Sequence, residues 1–479
     1  MIALFLLLGA ALAADTELWG EARWIGSHLD DFPVDAQGTT HGQATWLDQR
    51  IRAGAGQSYD LWGWQIEADL ATGQLFGDTW SLGAVDARRR HAHDAFGAGL
   101  FLPRKAQVQG VVGEVQVEAG LTTSHWGLGM VANDGDQEVL FGRTDLADRV
   151  LRVRGAVAPG PDRPRRTTLL LVGAADLVVD DDTATLADDQ IAVQGILSAL
   201  WVRADDTRYG VYTVFRHQRE RVDGRRTDVA VVDGFVDWPF DLGEGWRLRL
   251  AAEAATIVGR TDRATTYNAP DGVGILQGGA TGLATLTEPS ERLRFHLRTG
   301  WASGDGAPDN KRAHDFVFDR NFVVGSVLFK HVLGGIDAAT HAILVDPQYA
   351  GQPPDGVDAV VSEGAIRRVA FLQPVVEARP VEWGVLRVGA VGVLGTAPVA
   401  HPFYSYRAGG VPRNHHDRAS EGRWLGTEAS WALGVHLPGE PRLQPSFEVQ
   451  GGHAFLGPPL RGAGPDVLHH LMGTARLRW

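Results

Sequence analysis

The sequence predicts an all-β fold, a single transmembrane antiparallel up-and-down β-barrel of about 18 strands. Three observations carry this expectation. Apolar and polar residues alternate with period two in segments of about ten to fourteen residues along the chain. Beyond Ala14 no run approaches the roughly 18 to 20 apolar residues that a spanning helix needs. The connections between the alternating segments are short and long by turns, as when a barrel is threaded with tight turns at one face and longer loops at the other.

Composition agrees. The chain has 479 residues, with 60 glycines, 15 tryptophans and no cysteine, a balance that favours turns and strands over helices. At roughly 150 residues per domain the length suggests about three domains. No linker divides it, so residues 14–479 read as one barrel with no separate plug domain. The lack of cysteine excludes a disulfide framework, a thiolate metal site, a cysteine nucleophile and a lipidated N-terminal cysteine. A formal net charge of -13 argues against a nucleic-acid partner.

"MIALFLLLGAALAADTELWG" opens the chain. Residues 2–8 are apolar and Ala11-Leu12-Ala13 is an A-x-A site, so residues 1–13 are expected to be a signal peptide cut after Ala13, although no lysine or arginine precedes the apolar run. Alternation begins at once in "ELWGEARWIGS" and returns in "LWGWQIEADL", "RVLRVRGAV", "IAVQGILSALWV" and "GWRLRLAAEAATIV". "ERLRFHLRTGW" is the clearest case: Leu293, Phe295, Leu297 and Trp301 fall on one face, Arg292, Arg294, His296 and Arg298 on the other. "EWGVLRVGAVGVL", "GRWLGTEASWALGV" and the final "VLHHLMGTARLRW" complete the series.

A β-sandwich would alternate too, with its apolar face turned to a core. The connections discriminate. "PGPDRPRR", "ADDTR", "DLGEG", "TEPSE", "RPVE" and "PGEP" are short, whereas "DDDTATLADD", "GRTDRATTYNAPDG", residues 396–421 and "GPPLRGAGPD" are long. Short turns are expected at the periplasmic end and long loops at the extracellular end. Asp223-Gly224 breaks the rule as a tight-turn signal on the long-loop side, and the turn near Gly110 to Gly113 is poorly defined. Residues 322–346 either add a hairpin, raising the count to about twenty strands, or form a helix-containing loop that folds inward.

In the last strand Val467, His469, Leu471, Ala475, Leu477 and Trp479 share the lipid face, with Trp479 at a membrane interface and His469 required near the other. Trp246, Trp301, Trp383 and Trp424 also stand at strand ends, as an aromatic girdle demands. The whole of residues 14–479 thereby resembles Gram-negative outer-membrane porin-like barrels. The resemblance implies export to the outer membrane, contact with the lipid bilayer and lipopolysaccharide, and a terminal aromatic, Trp479, that serves as the signal for the barrel assembly machinery. Two shorter stretches narrow it. "HWGLGMVANDG", residues 125–135, resembles a family of uncharacterised myxobacterial outer-membrane barrels. "GWASGDGAPDNKRAHDFVFDRNF", residues 300–322, is similar to the strand end and loop of alginate-export-type barrels, which implies a passive channel for an acidic polysaccharide.

The residues themselves point to a basic lumen in an acidic protein. Arg152, Arg154, Arg247, Arg249, Arg292, Arg294, His296, Arg298, Arg387, Arg476 and Arg478 occupy non-lipid faces of strands, while acids such as Asp180, Asp181, Asp182, Asp188 and Asp189 gather in loops. Each such arginine on the lipid side would cost roughly 2–4 kcal/mol at the midplane. They are therefore expected to line the pore and favour anionic small solutes or acidic saccharides. Residues 304–321, with Asp305, Asp309, Asn310, Lys311 and Arg312, are expected to narrow the path. The alternative is a neutral or plugged lumen in which inward acids such as Glu67, Asp69, Glu253 and Glu428 pair with the arginines, leaving function to the loops.

Other chemistry is weaker. His91, His93 and Asp94, and Asn414 with His415, His416 and Asp417, are read as solvated loop residues and not as a metal site. Gly304-Asp305-Gly306 lacks the ligand spacing of a calcium loop. Ser124, His125 and Asp134 contain no nucleophile motif such as G-x-S-x-G. Neither an enzyme nor a cofactor is expected. An energised receptor would need an N-terminal plug and an adhesin exporter a long passenger; the sequence offers neither pattern.

Overall fold

The computed structural model of the chain describes residues 16–479 apart from 41–44, 78–100, 145–146, 160–166, 267, 307–309, 345–347, 349–361, 363, 438–442 and 463. It is a closed antiparallel barrel of 18 crossing strands. The strands run in chain order through β1 (Glu17–Leu29), β2 (Thr45–Ser58), β3 (Trp62–Gly77), β4 (Phe101–Val112), β5 (Val115–Thr123), β6 (Arg149–Val157) and β7 (Thr167–Asp180). β8 (Gln190–Arg203), β9 (Arg208–Glu220), β10 (Arg226–Gly243), β11 (Trp246–Thr261), β12 (Val273–Thr287) and β13 (Leu293–Ala302) follow. β15 (Val369–Val381), β16 (Gly384–Gly395), β17 (Trp424–His436), β18 (Gln444–Leu456) and β19 (Val467–Arg478) finish the wall. β14 (Arg312–Ala313) does not cross; it lies parallel to Gly274 and Ile275 at the long-loop end of β12. The count is therefore eighteen, not twenty: among the described residues of this stretch, 322–344, there is no hairpin.

Closure comes from β1 pairing with β19, Glu21 opposite Arg478 through Leu29 opposite His470. Period-two alternation decides what each face meets. On β13 Leu293, Phe295, Leu297 and Trp301 are exposed on the outer surface, while Arg294, His296 and Arg298 point in. The outer band continues in Leu151, Val153, Leu197, Val211, Phe215 and Leu471, apolar surface that hydrocarbon and not water must cover. Exposed tryptophans edge it: Trp62, Trp238, Trp383 and Trp479 towards the short-turn end, Trp301 and Trp424 towards the other. Trp246 is half-buried. His469 faces outward in the first turn of β19, with its ring 2.7 Å from that of His453 and its backbone N–H on Asp30, so it sits at the rim.

The turn after β4 resolves into Gly113-Glu114 between Val112 and Val115. The connection 221–225 is indeed tight although it lies on the long-loop side. Below its base the outer residues are apolar, Phe215, Ala230 and Val258 in one row and Val232 beneath them. Nearer the turn they become His217, Asp228 and Arg260, the imidazole Nδ1 2.6 Å from the Asp228 carboxylate.

At the seam the indole of Trp479 covers Gly20, and the backbones of the two residues exchange two hydrogen bonds, Gly20 N–H to the Trp479 carbonyl at 2.9 Å and Trp479 N–H to the Gly20 carbonyl at 3.0 Å. A Cβ on Gly20 would stand 2.3 Å from the ring and 2.8 Å from the Arg52 carbonyl. Gly20→Val is expected to destabilise the barrel by about 1–3 kcal/mol, the cost of overpacking, read as a lower urea midpoint for the detergent-folded protein; an unchanged midpoint would show that the ring is not held there.

Candidate functional site, the barrel lumen

Two long connections turn inward and fill the half of the lumen nearer the long loops. Residues 124–148 bring Trp126 against Tyr212 of β9, ring centroids 5.1 Å apart, with the indole N–H donated to Asp233 of β10 at 2.9 Å. Residues 303–368 carry an edge-to-face series of Phe316, Phe318 and Phe322. A π-helical turn (Leu328–Leu333) and helix α1 (Gly334–Leu344) follow. Together with Leu29, Phe32, Trp46, Phe371 and Leu468 these segments form one buried apolar core inside the barrel. Residues 322–344 thus take the inward, helix-containing arrangement.

Each inward segment is tied to the wall by a buried carboxylate. Glu428 of β17, fully buried, accepts the N–H groups of Ser326 (2.6 Å), Val327 (3.0 Å) and Leu328 (2.8 Å) and the Ser430 hydroxyl (2.6 Å). Glu253 of β11 accepts those of Leu128 and Met130. The donors follow Gly325 (φ +68) and Gly127 (φ +57), where a Cβ would come within 2.7 and 2.5 Å of the carboxylate oxygens. Both positions require glycine, for conformation and for space. The neutral-lumen alternative has these two acids pairing with arginines. They bond backbone instead, because burial leaves the turn's N–H groups with no water to serve them.

The two segments meet at Asp319, which accepts N–H groups from Asn133 (2.9 Å) and Asn321 (2.8 Å). Burial, then the neighbouring carboxylates, pushes the Asp148 and Asp319 carboxyls well above the usual range. Arg320 reaches Asp182 at 3.1 Å and Asp148 at 3.8 Å. Asp181, beside the Arg216 guanidinium, is held low despite its burial.

At the short-turn end the lumen contains a cavity on either side of residues 137–140. One, of about 530 Å³, is bounded by β1–β3, β15–β19 and the floor of the first inward loop. The other, of about 770 Å³, lies against β10–β13. Arg294, Arg387, Arg476 and Arg478 line the first, and Arg247, Arg249, Arg294, His296 and Arg298 line the second. Arg152 and Arg154 line neither; they pair with Asp176 at 2.7 Å and Glu118 at 2.9 Å. Arg292 is in the turn before β13, exposed, and not on the strand face.

The acids are not confined to loops. Arg249 is bound by Asp237 (2.7 Å), Arg247 by Glu291 (2.5 Å), Arg294 by Glu377 (3.6 Å), Arg387 by Glu377 and Glu448 (each 3.2 Å) and Arg476 by Glu21 (3.4 Å). A guanidinium held in a poorly solvated wall needs a counter-charge. Among the described residues Arg298 has no carboxylate partner: it donates to the Val323 carbonyl at 2.8 Å and lies 4.7 Å from the centre of the Phe322 ring.

Several expected residues lie elsewhere. Asn310, Lys311 and Arg312 sit at the wall, where the Lys311 carbonyl accepts Gly274 N–H and the Asn310 side chain accepts Arg312 N–H. Asp305, buried, is bonded to Asp315 and His314. Asp309 is outside the described residues, as are His91, His93 and Asp94. The narrowing falls to residues 124–148 and 316–344, because pairing with β12 draws residues 310–313 to the rim. Ser124 is turned to Arg152 at 3.1 Å, while His125 is 3.5 Å from Asp134, so no hydroxyl–imidazole pair forms. His415 is buried against His416, and burial depresses its pKa well below the ordinary value. Arg23, Arg50, Arg52, Arg104 and Arg379 were missed, although "EARW" and "QRIR" carry the same alternation.

The sequence matches no protein-family model and no curated protein. Solved structures do match. OccD3 (OpdP) of Pseudomonas aeruginosa has a TM-score of 0.52 at 10% identity over 98% of this chain and 92% of that one. OprD of the same organism gives 0.52 at 8%, over 98% and 94%. A BenF-like porin from Pseudomonas fluorescens Pf-5 gives 0.51 at 11%, over 97% and 99%. At these identities the likeness is one of fold, that of an outer-membrane porin barrel.

Glu428→Ala would orphan three buried N–H donors at roughly 1–3 kcal/mol each, so amide exchange at Ser326 to Leu328 is expected to quicken by about 100-fold or more; unchanged exchange would refute the tie. The raised carboxyls of Asp148 and Asp319 favour the protonated native state. Their stabilising effect is full below the ordinary range near about pH 4 and is lost as pH rises through the raised values. Exchange at the Asn133 amide, corrected for its intrinsic pH dependence, should therefore accelerate as pH rises above the ordinary carboxylate range, and Asp148→Asn should flatten the profile.

Proposed function

We propose that the protein is a passive outer-membrane channel whose lumen favours anionic solutes, from small acids to acidic saccharides. The observation that carries this reading is the excess of guanidinium in both cavities. Nine arginines face seven carboxylates in one, and four face three in the other. Because the wall is of low dielectric, even a small surplus of fixed positive charge biases which ions enter. Arg298, held without a carboxylate, is the strongest local source of that bias in the larger cavity. Solutes would diffuse past the edges of the two inward loops, and no covalent chemistry is required of any side chain.

A second reading has its own support. The apolar core that the inward loops build with the wall is what a closed barrel with loop-borne function would contain.

Planar-bilayer recording under a potassium chloride gradient decides between them. Discrete openings with an anion-selective reversal potential are the expected result; a silent membrane containing folded barrel would favour the second reading. Arg294→Glu combined with Arg298→Glu should reduce or reverse the anion preference, and unchanged selectivity would remove both residues from the conducting path.

A further inference from the structure

The barrel seam contains a charge pattern that folding alone does not account for. Arg23 on β1 stands directly between Arg50 on β2 and Arg476 on β19, all three on the inner face. Like charges directly opposite across strands are destabilising. In the next row Glu21 stands between Arg52 and Arg478. Arg52 turns away to Asp69 (2.8 Å) and Asp136 (2.5 Å). That leaves one half-buried glutamate shared by four guanidinium groups: Glu21 lies 2.6 Å from Arg23, 3.2 Å from Arg50, 3.4 Å from Arg476 and 3.2 Å from Arg478. The exposed Glu138 is 3.5 Å from Arg478 and 3.9 Å from Arg476. Among the described residues the Nε donors of Arg23 and Arg50 are buried without a hydrogen-bond partner, and that of Arg476 has only the 3.4 Å contact to Glu21. A wall that leaves donors unsatisfied beside surplus positive charge is built for a ligand that brings acceptors and negative charge.

We infer that this cluster, open to the 530 Å³ cavity, is a binding site for a multiply charged tetrahedral oxyanion, namely phosphate, free or as the monoester of a small solute. The chemistry selects this class. Guanidinium forks on three adjacent strands approach from different directions, and a phosphate group presents three acceptor oxygens and close to two negative charges. A monocarboxylate is planar, with two oxygens and one charge, and leaves one fork and part of the surplus charge unserved. The site deepens the reading of the lumen as an anion path and rests on it for access from solution.

The test is titration calorimetry on the detergent-folded full chain at about pH 7.5, where phosphate is mostly dianionic, with inorganic phosphate and, separately, acetate at matched ionic strength. Phosphate should bind saturably and acetate at least about tenfold more weakly. Arg23→Gln should weaken phosphate by a similar factor while raising the thermal midpoint in phosphate-free buffer, since it breaks the like-charge row; a merely structural arginine would lower that midpoint. If Arg23→Gln does not fold, Arg478→Gln, nearer solvent, should weaken phosphate in the same sense. Equal binding of the two anions, or phosphate binding unchanged by the foldable variant, overturns the proposal. Bilayer recording on the same preparation separates the two readings: saturable phosphate binding by a non-conducting barrel refutes the channel and leaves the site standing, whereas an anion-selective channel that binds no phosphate refutes the site alone.

Discussion

Lipid offers no partner to an unpaired strand edge, and the whole structure follows from the need to leave none. β1 must meet β19, because each open backbone group in hydrocarbon costs several kcal/mol. Closure by antiparallel neighbours fixes the even count and puts both ends of the described sheet at the short-turn end. It also turns one face of every strand to lipid, which is why the apolar half of the alternation is outside and the charges are inside. The inner face then inherits the opposite problem, an excess of ionised side chains in a confined space.

The interior solves that problem in two ways. Guanidinium groups are distributed over wall carboxylates, often two or more to one acid, as Arg294 and Arg387 share Glu377. The remaining space at the long-loop end is filled by chain, and each intruding segment meets the wall through a carboxylate that serves its backbone. The same residue type thus neutralises side chains in one half of the barrel and anchors main chain in the other. Which task it takes depends on whether an arginine or a glycine-led turn stands before it.

The wall was legible in the sequence because the pleat writes itself as period two, and strands such as β13 could be assigned face by face. The interior was legible only in part. An inward Glu253 or Glu428 has the same alternation signal whether it pairs with a guanidinium or caps a loop, since the deciding partner comes from a segment more than a hundred residues away. Residues 310–313 misled for a related reason: a polar, glycine-rich loop carries no signal for the β12 edge it joins. Arg23 and Arg50 each look ordinary in their own strands. Their meeting is a matter of register across the seam, which no local pattern encodes.

The tight connection at 221–225 has a consequence for what meets the cell's surroundings. Once the outer residues become His217, Asp228 and Arg260, the ladder of β9, β10 and β11 has left the hydrocarbon, yet its pairing continues to the turn. This hairpin stands as a hydrated spur beyond the apolar band, held by its own ladder and by the neighbouring loops: Arg221 N–H donates to the Asp189 carbonyl at 3.0 Å, and Arg263 bridges Glu220 and the Thr183 carbonyl. A short peptide grafted between Asp223 and Gly224 would be displayed there without touching either the seam or the inward loops.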